Sequence, residues 1–71
     1  MKTRMRIERD KRHWTLQQVG LHIGITRSAV RSIEIKRRKP SYSVLVGLEN
    51  LFGLSHRQLL ELVDDNEKPS A

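Results

Sequence analysis

The stretch Thr15–Ile35, TLQQVGLHIGITRSAVRSIEI, decides the fold, because it reads as two short helices joined by one tight turn. Gly24 marks the break: the position after a helix's last turn takes a left-handed backbone that strains any residue with a Cβ. Val19 and Ile23 lie one helical turn apart before that glycine, Ile25 follows it, and Val30 and Ile33 lie one turn apart beyond. Each helix therefore has an inner face, with Ala29 joining Val30 and Ile33 in the second. The outer face of the second helix is a different surface. Arg27, Ser28, Arg31 and Ser32 repeat at i, i+1, i+4 and i+5 and share one polar, charged stripe.

Start signals agree with this division. Thr15 reads as an N-cap with Gln18 closing a capping box and Trp14 stapled to Val19 across them. Thr26 caps the second helix, with Ile25 and Val30 as its staple. Gly20 falls inside a helix, where it costs roughly 1 kcal/mol relative to alanine, so its expected use is to let the second helix of the pair cross closely.

These residues resemble the helix-turn-helix domain of the phage repressor and Cro family, often called Xre-like. The match runs without a gap from Trp14 to Pro40, through Thr15, Gly20, Gly24, Thr26, Arg27, Ser28, Ile33 and Glu34. With looser matching it extends from Met5 to Leu60, through Ser41, Leu45, Leu48, Phe52, Gly53, Ser55 and Leu59. The resemblance implies an all-α fold: a compact five-helix repressor-like domain with the helix-turn-helix at helices 2 and 3, a DNA-reading third helix and usually a dimer. It also implies that Arg9 pairs with Glu34 at the end of helix 3, whereas the residues alone leave open a local pair with Glu8 or Asp10. The chain departs from the family pattern at Glu8, where an apolar residue is common. His13 and Lys36 stand where glycine is usual, and Leu16 where many relatives have glutamine.

Bulk properties point the same way. Seventy-one residues make one domain, and a chain of that size buries only about 60% of its unfolded surface, so a partner would help its stability. There is no cysteine, so neither a disulfide frame nor a thiolate metal site staples the fold. No apolar run approaches a membrane span, and the basic start lacks the apolar region of a signal peptide; the expectation is a soluble, cytoplasmic protein. The net charge of +6 is polarised: residues 1–40 hold twelve Lys or Arg against three acids, and residues 41–71 hold two against five. A basic half of this density attracts a polyanion, because phosphate neutralisation releases condensed counterions.

Along the chain, the opening MKTRMRIERDKRH has a thin inner face with Met5 and Ile7 as anchors and Thr3 as a possible cap. The amino end of the helix beginning after Thr15 is a natural seat for a phosphate, with Gln17 placed to assist. In the next helix Arg27 and Arg31 suit bidentate contacts to guanine or clamps on phosphate, and Ser28 and Ser32 bond several base edges. KRRKP, Lys36–Pro40, puts four cations directly after the reading helix, where phosphate contact is expected. A lysine at position 36 either bears a left-handed backbone cost or needs a different turn. The candidate DNA contacts are thus Gln17, Thr26, Arg27, Ser28, Arg31, Ser32, Lys36, Arg37 and Arg38.

Ser41 opens a fourth helix to Phe52, with Leu45, Leu48 and Phe52 inward and Gly53 ending it. Leu54, Ser55, Gln58 and Leu59 repeat the staple and capping box, predicting a fifth helix to about Val63. Tyr42, Val44, Val46, Leu51, Leu60, Leu62 and Val63 offer apolar surface beyond one inner stripe, which predicts a homodimer through the helix 5 region. Residues 1–63 form the expected domain, and 64–71, DDNEKPSA, a polar tail too poor in apolar residues to fold by itself.

No phosphate-binding glycine loop, zinc-binding histidine helix or nucleophile elbow occurs. His13, His22 and His56 stand at unrelated positions and are assigned to solvent or helix ends. No enzyme activity, metal or cofactor is expected. The expected function is a sequence-specific duplex DNA-binding transcriptional regulator, a repressor or autoregulator on a palindromic operator. An antitoxin with a toxin partner or a restriction-modification controller would use the same fold. A protein- or RNA-interaction module would use the same basic face, and the thin apolar face of residues 3–12 argues against membrane binding.

Overall fold

Among the described residues five helices form, four of them opened by the side-chain caps that the sequence places. The computed structural model describes residues 2–63, in the order β1 (Lys2–Thr3), α1 (Arg4–Lys11), α2 (Leu16–Ile23), α3 (Arg27–Glu34), α4 (Tyr42–Phe52), α5 (His56–Leu59) and β2 (Leu62–Val63). The Thr15 hydroxyl accepts from the Gln18 amide at 3.0 Å while the Gln18 side chain accepts from the Thr15 amide at 2.8 Å. Ser55 and Gln58 make the same reciprocal pair at α5, and Thr26 and Ser41 cap α3 and α4 through the Ala29 and Val44 amides. Each cap satisfies a backbone donor that has no partner within its own helix.

The inner faces meet in one core of Met5, Val19, Val30, Ile33, Leu48, Phe52 and Leu59. Around it pack Trp14, Leu16, Ile23, Ile25, Val44, Leu51, Leu54 and Leu60. On α4 the core side is Val44, Leu48, Leu51 and Phe52, one helical stripe, and Leu45 is half-buried. Much of the surplus apolar surface in the carboxyl half is thereby used inside the domain.

The thin inner face of α1 is completed by ionic groups rather than by apolar ones. Arg9 sends Nε to Glu34 Oε2 at 2.9 Å and one terminal nitrogen to Oε1 at 3.1 Å, and donates its other nitrogen to the Trp14 carbonyl at 2.8 Å. The long-range pair forms, with a longer local contact from Arg9 to Asp10 at 3.7 Å beside it, and Glu34 keeps only 5% of its surface exposed. Glu34 in turn holds the Arg9 guanidinium more firmly protonated than free arginine. Glu8 accepts from Arg12 at 2.7 Å. Arg12 also donates to the Phe52 carbonyl at 3.2 Å, and its guanidinium lies 5.4 and 5.3 Å from the Trp14 and Phe52 rings. A cation at the carboxyl end of α4 favours the unpaired carbonyls there.

Two expectations are corrected. Thr3 stands at the N-cap position of α1, but its side chain does not cap the helix; its hydroxyl donates instead to the Glu34 carbonyl at 2.8 Å. The fifth helix does not reach Val63. It is a single turn, and Leu62–Val63 pairs antiparallel with Lys2–Thr3, register Lys2↔Val63 and Thr3↔Leu62, with the Arg4 amide donating to the Glu61 carbonyl at 2.9 Å. A four-residue helix has little cooperative support, whereas the strand pairing satisfies backbone groups at both ends of the domain at once. The all-α class stands with this ribbon added, and the polar segment 64–71 lies outside the described residues.

Removal of one partner of a buried ion pair strands the other charge. Arg9→Ala is therefore expected to destabilise the domain by about 3–5 kcal/mol, and Arg9→Met combined with Glu34→Met to recover most of that loss; urea unfolding reads both, and an unchanged midpoint in the single variant would contradict the clamp. Glu8 is held below the ordinary glutamate range by its hydrogen bond from Arg12, and Glu49 by the backbone amide and then the ring of His56. Carboxylates depressed in this way stabilise fully above their unfolded pKa and cease to do so as pH falls through the folded value. The urea midpoint should drop as pH falls from about 5 to 3, less steeply in Glu8→Gln and Glu49→Gln.

Candidate nucleic-acid interface

The turn between α2 and α3 fixes one helix on the other. Gly24 takes φ 80° and ψ 30°, and the amides of Gly24 and Ile25 both donate to the Gly20 carbonyl, at 2.8 and 2.9 Å. Gly20 serves close packing as expected, but against the turn rather than the body of α3: a Cβ there would stand 2.5 Å from the Ile25 carbonyl oxygen. With Val30 wholly buried and Ile33 3% exposed, the rotation of α3 about its axis is set. Its other face then points away from the core, and Arg27, Ser28 and Arg31 are exposed while Ser32 is half-buried.

Besides Ser28, Arg31 and Ser32 on this face, the predicted contacts fall into two groups at the ends of α3. At its amino end, Gln17 and Arg27 line one open depression with Arg9, Trp14, Thr15 and Leu16. That depression lies at the amino end of α2, whose first turn, like those of α3 and α4, contains no acid. The positive ends of these helix dipoles are therefore not neutralised from within. Thr26 is committed through its oxygen to the α3 cap, which leaves its hydroxyl proton as a donor. At the carboxyl end, Lys36, Arg37, Arg38 and Lys39 are all exposed.

Ile35 closes α3, and the turn after it is tight. The Lys36 amide donates to the Ile33 carbonyl at 3.0 Å, and the Arg37 amide to the Ser32 carbonyl at 2.8 Å. This is the Schellman pattern, with Lys36 at φ 62° where glycine is ordinarily found. Of the two outcomes open to a lysine here, the chain adopts the left-handed backbone and keeps the usual turn.

Electrostatics separates the interface from the rest of the basic half. The three acids among residues 1–40 are all used by α1 and the residue that follows it: Glu8 with Lys11 and Arg12, Asp10 with Arg6 and Arg9, Glu34 with Arg9. Among the described residues, Arg27, Arg31, Lys36, Arg37, Arg38 and Lys39 face no acid within ion-pair distance. Six uncompensated cations on α3 and its extension make a concentrated positive surface. Sequence reasoning gave the members of this surface but missed the local neutralisation that isolates it, although the Glu8–Arg12 spacing of i, i+4 was visible.

The three histidines lie at helix ends, His56 with its ring 2.8 Å from Glu49, and no group of His, Asp or Glu among the described residues is placed to hold a metal ion. No described helix is long and apolar enough to cross a membrane.

A sequence profile of the helix-turn-helix family matches residues 5–59, from the core methionine of α1 to the core leucine of α5. No curated protein and no solved structure matches the chain significantly. The matched span holds the whole α2–turn–α3 unit, the clamp that orients it and the exposed polar face, so the chain belongs to the Xre/Cro/C1-type helix-turn-helix family of DNA-binding regulators.

Proposed function

We propose that this domain reads a specific duplex sequence through α3 and regulates transcription as a repressor or autoregulator, binding a palindromic operator as a homodimer. One observation carries the reading: the polar face of α3 is open to solvent while Val30 and Ile33 are buried behind it. In this docking the first turn of α3 enters the major groove. Arg27 and Arg31 contact guanine edges and Ser28 and Ser32 adjust to several bases. Gln17 and the amino end of α2 take a backbone phosphate on one side, with Thr26 donating nearby, and Lys36, Arg37 and Arg38 take phosphates on the other.

A symmetric contact is supported by the apolar side chains that the core does not absorb. Leu62, on the ribbon strand, is 49% exposed and Tyr42, at the start of α4, is 82% exposed. The ribbon strand replaces the end of helix 5 as the surface proposed for the partner copy. A two-fold assembly would present two α3 helices about 34 Å apart, matching successive major grooves on one face of the duplex.

The test is a salt series of duplex-binding measurements on the unaltered chain and on Arg27→Ala and Arg31→Ala, with the site first selected from a random duplex pool. Affinity is expected to fall steeply with salt, and at least one variant to lose about 1–3 kcal/mol of preference for the selected site. Sequence-indifferent binding by the unaltered protein would overturn specific readout.

A further inference from the structure

Four helices of this domain end on a left-handed residue: α1 at His13 (φ 57°), α2 at Gly24 (φ 80°), α3 at Lys36 (φ 62°) and α4 at Gly53 (φ 73°). Glycine adopts this backbone freely, whereas any residue with a Cβ is strained in it. The chain thus uses the unstrained residue at two ends and accepts strain at two others. The turns at His13 and Lys36 are the same motif. At the end of α1, the His13 amide donates to the Asp10 carbonyl at 3.1 Å and the Trp14 amide to the Arg9 carbonyl at 3.1 Å, the pattern seen after α3.

Surroundings distinguish them. His13 follows Arg12, whose guanidinium is committed to Glu8 and Phe52. Lys36 opens the run of exposed cations with no acid in reach, at the end of the helix whose polar face is open. Its turn is also tied down twice, because the amides of both Arg37 and Arg38 donate to the Ser32 carbonyl, at 2.8 and 3.2 Å. Backbone hydrogen bonds thus hold Lys36–Arg38 in register with Ser32, as an ordered extension of α3 whose side chains are exposed.

We propose that Lys36 occupies its strained position because its ammonium, carried on this hydrogen-bonded turn, takes a DNA backbone phosphate and sets the register of α3 in the groove, so that folding stability is given up for binding at this one residue. The inference rests on the DNA-binding reading above and names a residue-level exchange within it. A turn whose backbone is already ordered loses little backbone freedom on binding, which is how it gains affinity over an unstructured one. His13 carries the same strain outside this cationic run, and so supplies the comparison.

The experiment uses the full chain, with Lys36→Gly, Lys36→Asn and His13→Gly, and a short mixed-sequence duplex, since phosphate contacts do not depend on sequence. Lys36→Gly and His13→Gly should each raise the melting temperature by roughly 4–8 °C, the shift expected from relieving strain of this kind in a domain of this size. Both uncharged variants at position 36 should bind several-fold more weakly at about 0.1 M salt and reduce the slope of log affinity against log salt by about 1 per bound subunit. His13→Gly should leave affinity and slope unchanged. Unaltered slope and affinity in Lys36→Gly would overturn the proposal while leaving the DNA-binding reading intact, as would a Lys36→Gly chain with no gain in stability. Absence of salt-dependent binding by the unaltered chain would overturn both.

Discussion

The bidentate pair between Arg9 and Glu34 is the constraint on which the rest of this small domain depends. It joins α1 to the last turn of α3 across twenty-five positions of sequence, and the third Arg9 contact, to the Trp14 carbonyl, fixes the segment that leads into α2. Thr3 adds a bond from the ribbon to the Glu34 carbonyl. The end of α3 is thus gripped through both its side chain and its backbone. A buried pair of this kind is a weak source of net stability, since desolvation offsets most of the attraction, but it defines one arrangement of helices among the many that a greasy interface would accept.

The same pair shapes the electrostatics. By occupying Glu34 with Arg9, and Glu8 with Arg12, the domain neutralises cations on the side that packs and leaves those on α3 and its extension unmatched. Paired and unmatched charges are sorted by position, although they are mixed along the sequence. The exposed face of α3 therefore owes its orientation to Val30 and Ile33 beneath it, and its potential to acids that are consumed elsewhere.

Local features were legible in the sequence. The capping boxes at Thr15 and Ser55, the glycine break at Gly24 and the inner positions of α2 and α3 all involve residues within four or five positions of one another, where helical geometry dictates who meets whom. Long-range features were not legible in this way. The Arg9–Glu34 pair was supplied by family resemblance, since no periodicity links positions so far apart. The β1–β2 ribbon has two residues per strand, too few for alternation to register, and it forms at the expense of a helix end that composition favoured. The Thr3 hydroxyl finds a carbonyl thirty-one residues away, and Glu49 caps α5 across a loop through the His56 amide at 2.8 Å. Of the interface, the membership of the polar face was readable from spacing, but the tie of the basic run to Ser32 was not, because it runs through backbone groups that carry no sequence signature.

The central claim is that the clamp leaves the polar face of α3 as the surface that meets DNA. Amide chemical-shift mapping of the labelled chain during addition of a duplex tests it most directly. The largest shifts are expected at residues 15–17, 26–32 and 36–39, with the Arg9–Glu34 contact region changing little. Dominant shifts on α1, α5 and the ribbon, with residues 27–32 unmoved, would contradict it.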